Sequence, residues 1–232
     1  MKNPLTLFSL LFILFFANSC SKDESSSNSL GGDTNIALTV PASETTIYGE
    51  YGSTTISGAT MTVKSRDNGI VTYEAQVDLN QFPDSLKLKA VTTLTQLAVY
   101  YKFDTAFTLT PDNKLKFEFK LKVTSEGYAD YFAEGKEWVI GKYADGVGTN
   151  YTVKNDKGET LTRTITEKTE VDEWPFGFFL IKTSKIEQLT PADDPVIEKV
   201  IYRINHRFGL VYIEYQLKDG TTLKLDVWAL FV

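Results

Sequence analysis

Histidine is the side chain best suited to acid–base catalysis near neutral pH, and this chain has one, His206. It stands in the stretch YRINHRFG between Arg203 and Arg207, whose positive charges disfavour a protonated imidazole. The sequence has no G-x-S-x-G nucleophile motif and no second histidine that could share a metal ion. We therefore interpret His206 as a structural residue at a strand end, and we expect no metal site.

Carboxylates are the remaining groups that could catalyse a reaction. Glycoside hydrolysis needs two carboxyl groups about 5 to 9 Å apart across a sugar. The two acidic pairs, Asp172 with Glu173 and Asp193 with Asp194, are adjacent in sequence, and adjacent side chains of an extended chain point to opposite faces. A hydrolase would therefore have to combine carboxylates from separate strands. The chain also has no phosphate-binding loop and no dinucleotide fingerprint, so we expect no cofactor.

The only cysteine, Cys20, follows a segment that is typical of an export signal. Lys2 and the amino terminus are positive, residues 5–16 are uncharged and apolar, and short side chains precede the cysteine. The apolar run of twelve residues is shorter than the roughly 20 needed to cross a bilayer. We therefore predict a signal peptide over residues 1–19. Because no second cysteine exists, Cys20 has no partner in this chain for a disulfide.

The residues around Cys20 carry the one family resemblance that we find. ANSC resembles the lipobox of bacterial lipoproteins, although Ala17 stands where leucine is usual. The residues that follow, Ser21, Lys22, Asp23 and Glu24, resemble the export signal of surface lipoproteins of Bacteroidota. The resemblance implies lipid attachment at Cys20, in an outer-membrane lipoprotein that is anchored by this lipid and faces the cell exterior. Residues 20–35 lack apolar periodicity and are predicted to form a flexible tether.

Charge narrows the range of partners. The whole chain has a formal net charge of −6, and removal of the signal takes away one basic residue, Lys2. An acidic protein is a poor ligand for nucleic acid, so we expect no nucleic-acid partner. The membrane contact is then expected to come from the lipid on Cys20 and not from a basic patch.

Aromatic side chains form the clearest candidate for a binding surface. They make up 13% of the chain, and their ordinary role is to fill the core of a β protein. In the stretch EWPFGFF, however, successive aromatic residues cannot all face one side of a strand. We therefore predict that Trp174, Phe176 and Phe178 contribute to a surface for a sugar or an apolar protein segment.

Alternation with period two dominates the sequence after the tether. In KLKFEFKLKVT, residues 114–124, apolar side chains alternate with charged ones, as expected for a half-buried antiparallel strand. Turn sequences such as RDNG, TPDN, NDKG and KDG separate the strand candidates. These candidates are residues 45–51, 54–64, 70–80, 86–89, 114–124, 138–143, 151–154, 160–168, 176–187, 196–205, 210–217 and 222–231. The pattern predicts an all-β fold with antiparallel meander or Greek-key sheets.

Two stretches are less regular. Residues 91–101 have apolar side chains at helical spacing, but their β-branched and aromatic composition favours a strand, which we predict. Residues 128–134 are expected to form two helical turns that separate two halves, residues 36–125 and 136–232. We predict two tandem β-sandwich-like domains, with one large β-barrel as the alternative.

The last two strand candidates predict a register. With a three-residue loop of Lys218, Asp219 and Gly220, apolar residues meet across the hairpin and Glu214 lies opposite Lys224. The expected core residues of this hairpin are Val211, Ile213, Tyr215, Leu223, Leu225 and Val227. A two-residue turn would instead bring charges onto the apolar face.

These observations favour a non-catalytic binding or accessory module over an enzyme. Such a module needs only an anchor, a rigid β scaffold and an exposed surface, and its partner would be an outer-membrane barrel protein or a glycan. The alternative is a surface glycoside hydrolase that uses carboxylates from separate strands.

Replacing the lipid-attachment residue tests the anchor. The Cys20→Ala variant should lose its acyl chains and leave the membrane fraction or accumulate as the precursor, because no other segment is expected to hold it. Fractionation of cells that express the variant and the wild-type protein, followed by mass spectrometry of the amino terminus, measures this. A fully processed variant that stays in the membrane would contradict the lipoprotein interpretation.

Overall fold

The computed structural model describes residues 28–36, 45–101, 108–132, 135–155 and 157–227. The signal peptide, Cys20 and residues 21–24 lie outside the described residues. The β-strands are β1 (Thr45–Tyr51), β2 (Thr54–Asp67), β3 (Ile70–Asp78), β4 (Thr108–Leu109), β5 (Lys114–Thr124), β6 (Gly127–Phe132), β7 (Lys136–Lys142), β8 (Asn150–Lys154), β9 (Thr160–Lys168), β10 (Trp174–Phe176), β11 (Phe179–Ile181), β12 (Ser184–Leu189), β13 (Ile197–Asn205), β14 (Gly209–Leu217) and β15 (Thr222–Val227). The helix α1 (Asp84–Tyr101) follows a 3₁₀ turn at Leu79–Gln81.

The strands confirm the expected all-β, antiparallel fold. One sheet has the order β7-β6-β5-β3-β2-β1-β15-β14-β13-β12-β9-β8, with β4 beside β5. The sheet curls until its two ends approach each other, and the indole of Trp138 on β7 donates to the carbonyl of Tyr151 on β8 at 3.1 Å. The result is a nearly closed barrel. β10 and β11 form a separate two-stranded hairpin.

The barrel alternative replaces the expected pair of tandem sandwiches. Strand β1, from the first half of the chain, pairs with β15 at the end of the second, so that Ile47 lies opposite Val227 and Tyr51 opposite Leu223. This pairing satisfies the backbone groups of two strands that would otherwise be sheet edges. Alternation along each strand is the same for both architectures, so it could not distinguish them.

Helix α1 corrects the strands expected over residues 86–89 and 91–101. The carbonyl of Pro83 accepts from the backbone of Leu86 at 2.9 Å and of Lys87 at 3.1 Å, which begins the first turn. Leu86 and Val91 then pack against a core cluster that includes Ile56, Leu79, Phe82 and Leu115. Burial of that apolar face outweighs the strand preference of the β-branched residues.

The helical turns expected over residues 128–134 are also corrected for residues 128–132, while residues 133 and 134 lie outside the described ranges. In their place, β6 pairs with β5 and β7, with Tyr128 opposite Val123 and Ala129 opposite Val139. Gly127 permits a close approach, since a Cβ atom there would lie 2.1 Å from the carbonyl oxygen of Gly141. The predicted boundary between halves is thus a β-hairpin inside the common sheet.

The predicted register of the last hairpin is confirmed. Tyr215 pairs with Leu223, Ile213 with Leu225 and Glu214 with Lys224. The backbone of Leu217 donates to the carbonyl of Thr221 at 2.8 Å, and Gly220 has a φ of 82°, as a three-residue loop requires.

Five of the six expected core residues of this hairpin face the barrel interior. These five are Ile213, Tyr215, Leu223, Leu225 and Val227. Val211 is buried elsewhere: the register of β13 and β14 shifts at this point, and Val211 packs with Phe176, Ile181 and Tyr212. A β-bulge therefore moves one apolar side chain from the interior to the outer face.

Part of the predicted tether lies against the barrel. Leu30 is buried, and its backbone donates to Glu137 Oε1 at 2.7 Å. Further along, the backbone of Asp33 donates to Ser125 Oγ at 2.9 Å, and Arg66 donates to the carbonyl of Ile36. Residues 28–36 therefore form a strap on the sheet, while residues 20–27 lie outside its described part.

The backbones of β1 and β15 approach so closely at Gly49 that any larger side chain there should destabilise the fold. A Cβ atom at Gly49 would lie 2.3 Å from the carbonyl oxygen of Lys224. The Gly49→Ala variant should lose about 1 to 3 kcal/mol of unfolding free energy, as overpacked sites do, measured by urea denaturation. Gly146→Ala is the control, because nothing lies within 4 Å of its Cβ position. Equal stability of the two variants would contradict the tight junction.

Candidate functional site

A large cavity occupies the interior of the barrel. Its volume is about 700 Å³, and its wall combines strands from both ends of the chain with Leu86 and Thr93 of α1. Volumes of about 300 to 1,000 Å³ are typical of small-molecule sites. The cavity exists because β1 and β15 join the two halves into one curved sheet.

The cavity wall is predominantly apolar. Phe117 and Phe119 of β5 line it from one side, and Ile213, Leu223 and Leu225 of the last hairpin line it from the other. These inward-facing side chains are only half-buried, so part of each faces cavity space instead of another side chain. A wall of this kind is suited to hold hydrocarbon.

One ionic cluster interrupts the apolar wall. The guanidinium of Arg163 on β9 binds the carboxylate of Asp130 on β6 at 3.0 and 2.6 Å. It also donates to Gln188 Oε1 at 2.9 Å, to the carbonyl of Trp138 at 3.0 Å and to the hydroxyl of Tyr202 at 3.3 Å. These contacts use the donors of all three guanidinium nitrogens, so Arg163 connects the barrel walls and has none left for a ligand.

The surroundings of Arg163 keep the cluster intact. The ring of Trp138 stacks on the guanidinium, with 3.7 Å between the ring centroid and Cζ. Burial raises the pKa of Tyr202 to about 12, against the opposing charge of Arg163, so this hydroxyl stays protonated at neutral pH. The cluster is therefore held together by ring stacking and by hydrogen bonds that include a neutral Tyr202 hydroxyl, and it has the features of a structural group.

The alternation of side chains along β9 predicts that Arg163 is buried, although arginine is usually an exposed residue. In β9, residues Leu161, Arg163 and Ile165 share one face, and all three are buried. A charged residue on an apolar face indicates a buried pair, because an unpaired buried charge is very costly. The alternation could have predicted the burial of Arg163, but not that Asp130, 33 residues away, would be its partner.

The three aromatic residues of the expected binding surface lie in different environments. Trp174 packs edge-on against Tyr212 at 5.3 Å, and Arg203 stacks on its ring at 3.9 Å. Phe176 is buried and lies 4.9 Å from the ring of Phe208. Only Phe178 is free of such packing, with a relative exposure of 102%. The hairpin β10–β11 is thus attached to the outside of the barrel by Trp174 and Phe176.

The tip of that hairpin forms an exposed apolar patch. Phe178 follows Gly177, whose φ of 62° belongs to the turn, and the neighbouring Phe179 and Leu180 are 59% and 56% exposed. Exposed neighbouring apolar side chains of this kind are found at surfaces that contact a partner.

The other candidate groups from the sequence are not brought together. His206 is exposed in the turn between β13 and β14, beside a smaller cavity of about 230 Å³ that Arg207 also lines. Asp172 and Glu173 are exposed in a loop. Asp194 is buried and accepts from the backbones of Val196 and Ile197 at 2.8 and 2.7 Å, so it stabilises its own turn.

Within the described ranges, no group of three or more His, Cys, Asp or Glu side chains could hold a metal ion. The described part of the chain also contains no helix with the length and apolar composition needed to cross a membrane.

Comparison with known proteins reveals little about this chain. No family model matches it, and no curated protein matches it. In structure the chain is similar to the hypothetical protein CT021 from Chlamydia trachomatis, with 10% identity over 87% of this chain and 95% of that chain. The TM-score of 0.30 is too low to support an argument about fold or function.

Breaking the ionic cluster should destabilise the barrel. The Asp130→Asn variant leaves the buried guanidinium without its counter-charge. We expect a loss of about 2 to 4 kcal/mol, just below the range for fully buried pairs because Asp130 is 24% exposed. Urea denaturation measures the loss.

An exposed ion pair provides the matched control for this variant. Asp193 binds Lys157 at the surface, where both side chains are about half exposed. The Asp193→Asn variant should therefore change the unfolding free energy by less than about 1 kcal/mol. If Asp130→Asn were equally mild, Arg163 would not be a structural link between the walls.

Proposed function

We propose that this chain is a lipid-anchored, non-catalytic binding module of the bacterial outer surface, and that its binding site is the cavity of the barrel. The observation that carries the proposal is the cavity itself, about 700 Å³ of space with a largely apolar wall. A site of this composition favours an apolar ligand over a free sugar, because a sugar would leave its hydroxyl groups without partners.

The size of the cavity supports a function in binding. A volume of about 700 Å³ lies within the range of about 300 to 1,000 Å³ that is typical of small-molecule sites. An apolar ligand that covers the wall would be stabilised by about 25 cal/mol for each Å² of apolar surface that it removes from water.

The proposed anchor would place the cavity close to a source of apolar ligands. Eight residue steps separate Cys20 from Asn28, where the strap on the sheet begins. At about 3.3 to 3.6 Å per residue, this segment spans no more than about 29 Å. A barrel held at that distance from lipid attached to Cys20 would remain near the membrane surface, with the export signal at residues 21–24 directing it to the exterior.

The hydrolase alternative has less support. The cavity wall contains two carboxylates among the described residues, Asp130 and Glu118. Asp130 is held by Arg163 in two hydrogen bonds, and Glu118 forms an ion pair with Lys64. Each carboxylate is therefore already committed to a cation, whereas a general acid must hold a proton near neutral pH.

The exposed hairpin tip supports a second contact, with another protein. Phe178, Phe179 and Leu180 form an apolar patch that suits an outer-membrane barrel protein as partner. Glycan capture by the neighbouring Trp174 is less favoured, because Arg203 already stacks on its ring at 3.9 Å.

Probe binding with a blocked cavity tests the proposal. Ala75 is buried and lines the cavity, so in Ala75→Phe the new ring would occupy ligand space. The wild-type protein should bind the apolar fluorophore N-phenyl-1-naphthylamine, and ligand at 100 times its Kd should add about 2.7 kcal/mol of stability. The variant should bind at least tenfold more weakly, because the ring occupies ligand space. Its unfolding midpoint is measured as well to show that it is folded, since a larger side chain at the buried Ala75 also displaces its neighbours.

Ala144→Phe is the matched control, because residue 144 is exposed. It should bind the probe as the wild-type protein does. Failure of the wild-type protein to bind the probe, or equal binding by Ala75→Phe, would show that the cavity is not a binding site. Release of sugars from a glycan by the purified protein would instead support the hydrolase.

A further inference from the structure

We propose that the ligand of the cavity is an amphiphile with one long acyl chain, whose carboxyl oxygen accepts a hydrogen bond from Tyr51. This inference rests on the proposed function, since it assigns a ligand class to the same cavity. It places the hydrocarbon against the apolar wall and the carboxyl group at the end of β1, beside Lys89 of α1.

Tyr51 has the polar group that a ligand would satisfy. Its side chain lines the cavity at the end of β1. Among the described residues, its hydroxyl is the only buried side-chain polar atom with no hydrogen-bond partner. This hydroxyl has almost no accessible surface, so a ligand oxygen reaches it only when a covering side chain such as that of Lys89 moves aside. A buried polar group without a partner is costly, so a bound acceptor would then be stabilising.

Lys89 determines which kind of group fits there. Its ammonium lies 5.6 Å from the centroid of the Tyr51 ring and binds the carboxylate of Asp219 in the last hairpin loop. The ammonium of Lys89 can donate a hydrogen bond to the Tyr51 oxygen, but it cannot accept one. The O–H of Tyr51 therefore still lacks an acceptor when Lys89 is close. The missing partner is therefore an acceptor oxygen, and the nearby positive charge favours a carboxylate.

Three other polar side chains of the wall, Arg163, Gln188 and Tyr202, bind one another and are not available to a ligand. The donors of Arg163 are all engaged, as described above, and the hydroxyl of Tyr202 and the side chain of Gln188 belong to the same cluster. A charged group bound deep in the cavity would therefore stay unpaired at high cost. The Tyr51 hydroxyl would bind the polar end of the ligand, and the apolar side chains that predominate in the wall would contact its hydrocarbon.

The Tyr51 end can also accept a charge without complete dehydration. The side chains of Lys89 and Asp219 are 40% and 45% exposed, so solvent reaches their ion pair beside Tyr51. Ion pairs with such exposure are weak, and a ligand carboxylate could displace Asp219 from Lys89 at little cost. A carboxyl group here would keep contact with water while its chain is buried.

Three ligands with the same chain length separate the contributions of the hydrocarbon, of the hydrogen bond from Tyr51 and of the charge near Lys89. Palmitate has the chain and a charged carboxylate, methyl palmitate has the chain and an uncharged ester oxygen, and hexadecane has the chain alone. Each is measured by displacement of N-phenyl-1-naphthylamine from the full-length, detergent-purified protein. The variants are Tyr51→Phe and Lys89→Gln, with Tyr48→Phe as the control, because Tyr48 is exposed on the outer face of β1.

Tyr51→Phe should weaken palmitate and methyl palmitate binding by about tenfold, the effect of one lost hydrogen bond, and leave hexadecane binding unchanged. Its thermal unfolding midpoint should not fall, because the substitution removes an unsatisfied hydroxyl. Lys89→Gln should weaken palmitate binding more than methyl palmitate binding, which distinguishes a free acid from an esterified chain. Tyr48→Phe should bind all three as the wild-type protein does.

The two proposals fail in different ways. If Tyr51→Phe binds palmitate and its methyl ester as tightly as the wild-type protein, while Ala75→Phe still blocks the probe, the cavity is a binding site but the carboxyl assignment is wrong. If neither palmitate nor hexadecane displaces the probe, the acyl ligand class is wrong. If the wild-type protein binds no probe at all, the proposed function fails first.

Discussion

Backbone pairing between β1 and β15 is the contact on which the rest of this molecule depends. It brings together strands that are far apart in the chain, and the ion pair of Glu50 with Lys224 on its outer face joins residues 174 positions apart. Without it, β1 and β15 would both be sheet edges, and the curved sheet would separate into two parts. The cavity would then have no opposite wall.

The same pairing explains why two different packing arrangements meet in one interior. Toward β6, β9 and β13, large side chains fill the barrel, and the Arg163 cluster connects its walls by hydrogen bonds. Toward β1 and β15, the inward side chains meet cavity space and helix α1. A rigid, fully bonded region beside a region with unfilled space suits a protein that must hold its shape while a ligand enters.

The polar side chains of the cavity wall differ in whether the protein itself satisfies their hydrogen bonds. We assign a structural role to those that it satisfies and a proposed binding role to Tyr51, which it does not satisfy. Arg163 and its partners carry charge, but their donors and acceptors are used within the protein, so their role is structural. Tyr51 is less conspicuous by residue type, and its hydroxyl lacks a partner among the described residues. The proposed position of the ligand carboxyl group therefore rests on which hydrogen bonds are missing and not on where charge lies.

Alternation along each strand determined which side chains face inward. Residues 114–124 became β5, with Leu115, Phe117 and Phe119 on the cavity side, and the loop with Gly220 set the register of the last hairpin. These features depend on residues a few positions apart, for which side-chain direction and turn conformation follow from the local sequence. Their prediction needed no knowledge of the tertiary structure.

Only the tertiary structure decided the pairing of β1 with β15, the helix over residues 84–101 and the partner of Arg163. Strand alternation is the same in a sandwich and in a barrel, and helical spacing in α1 prevailed over strand propensity because the core offers Leu86 and Val91 a place to be buried. The sequence also could not predict that the hydroxyl of Tyr51 lacks a hydrogen-bond partner. A partner is defined by the distance between groups in the folded chain, and sequence spacing does not contain that distance.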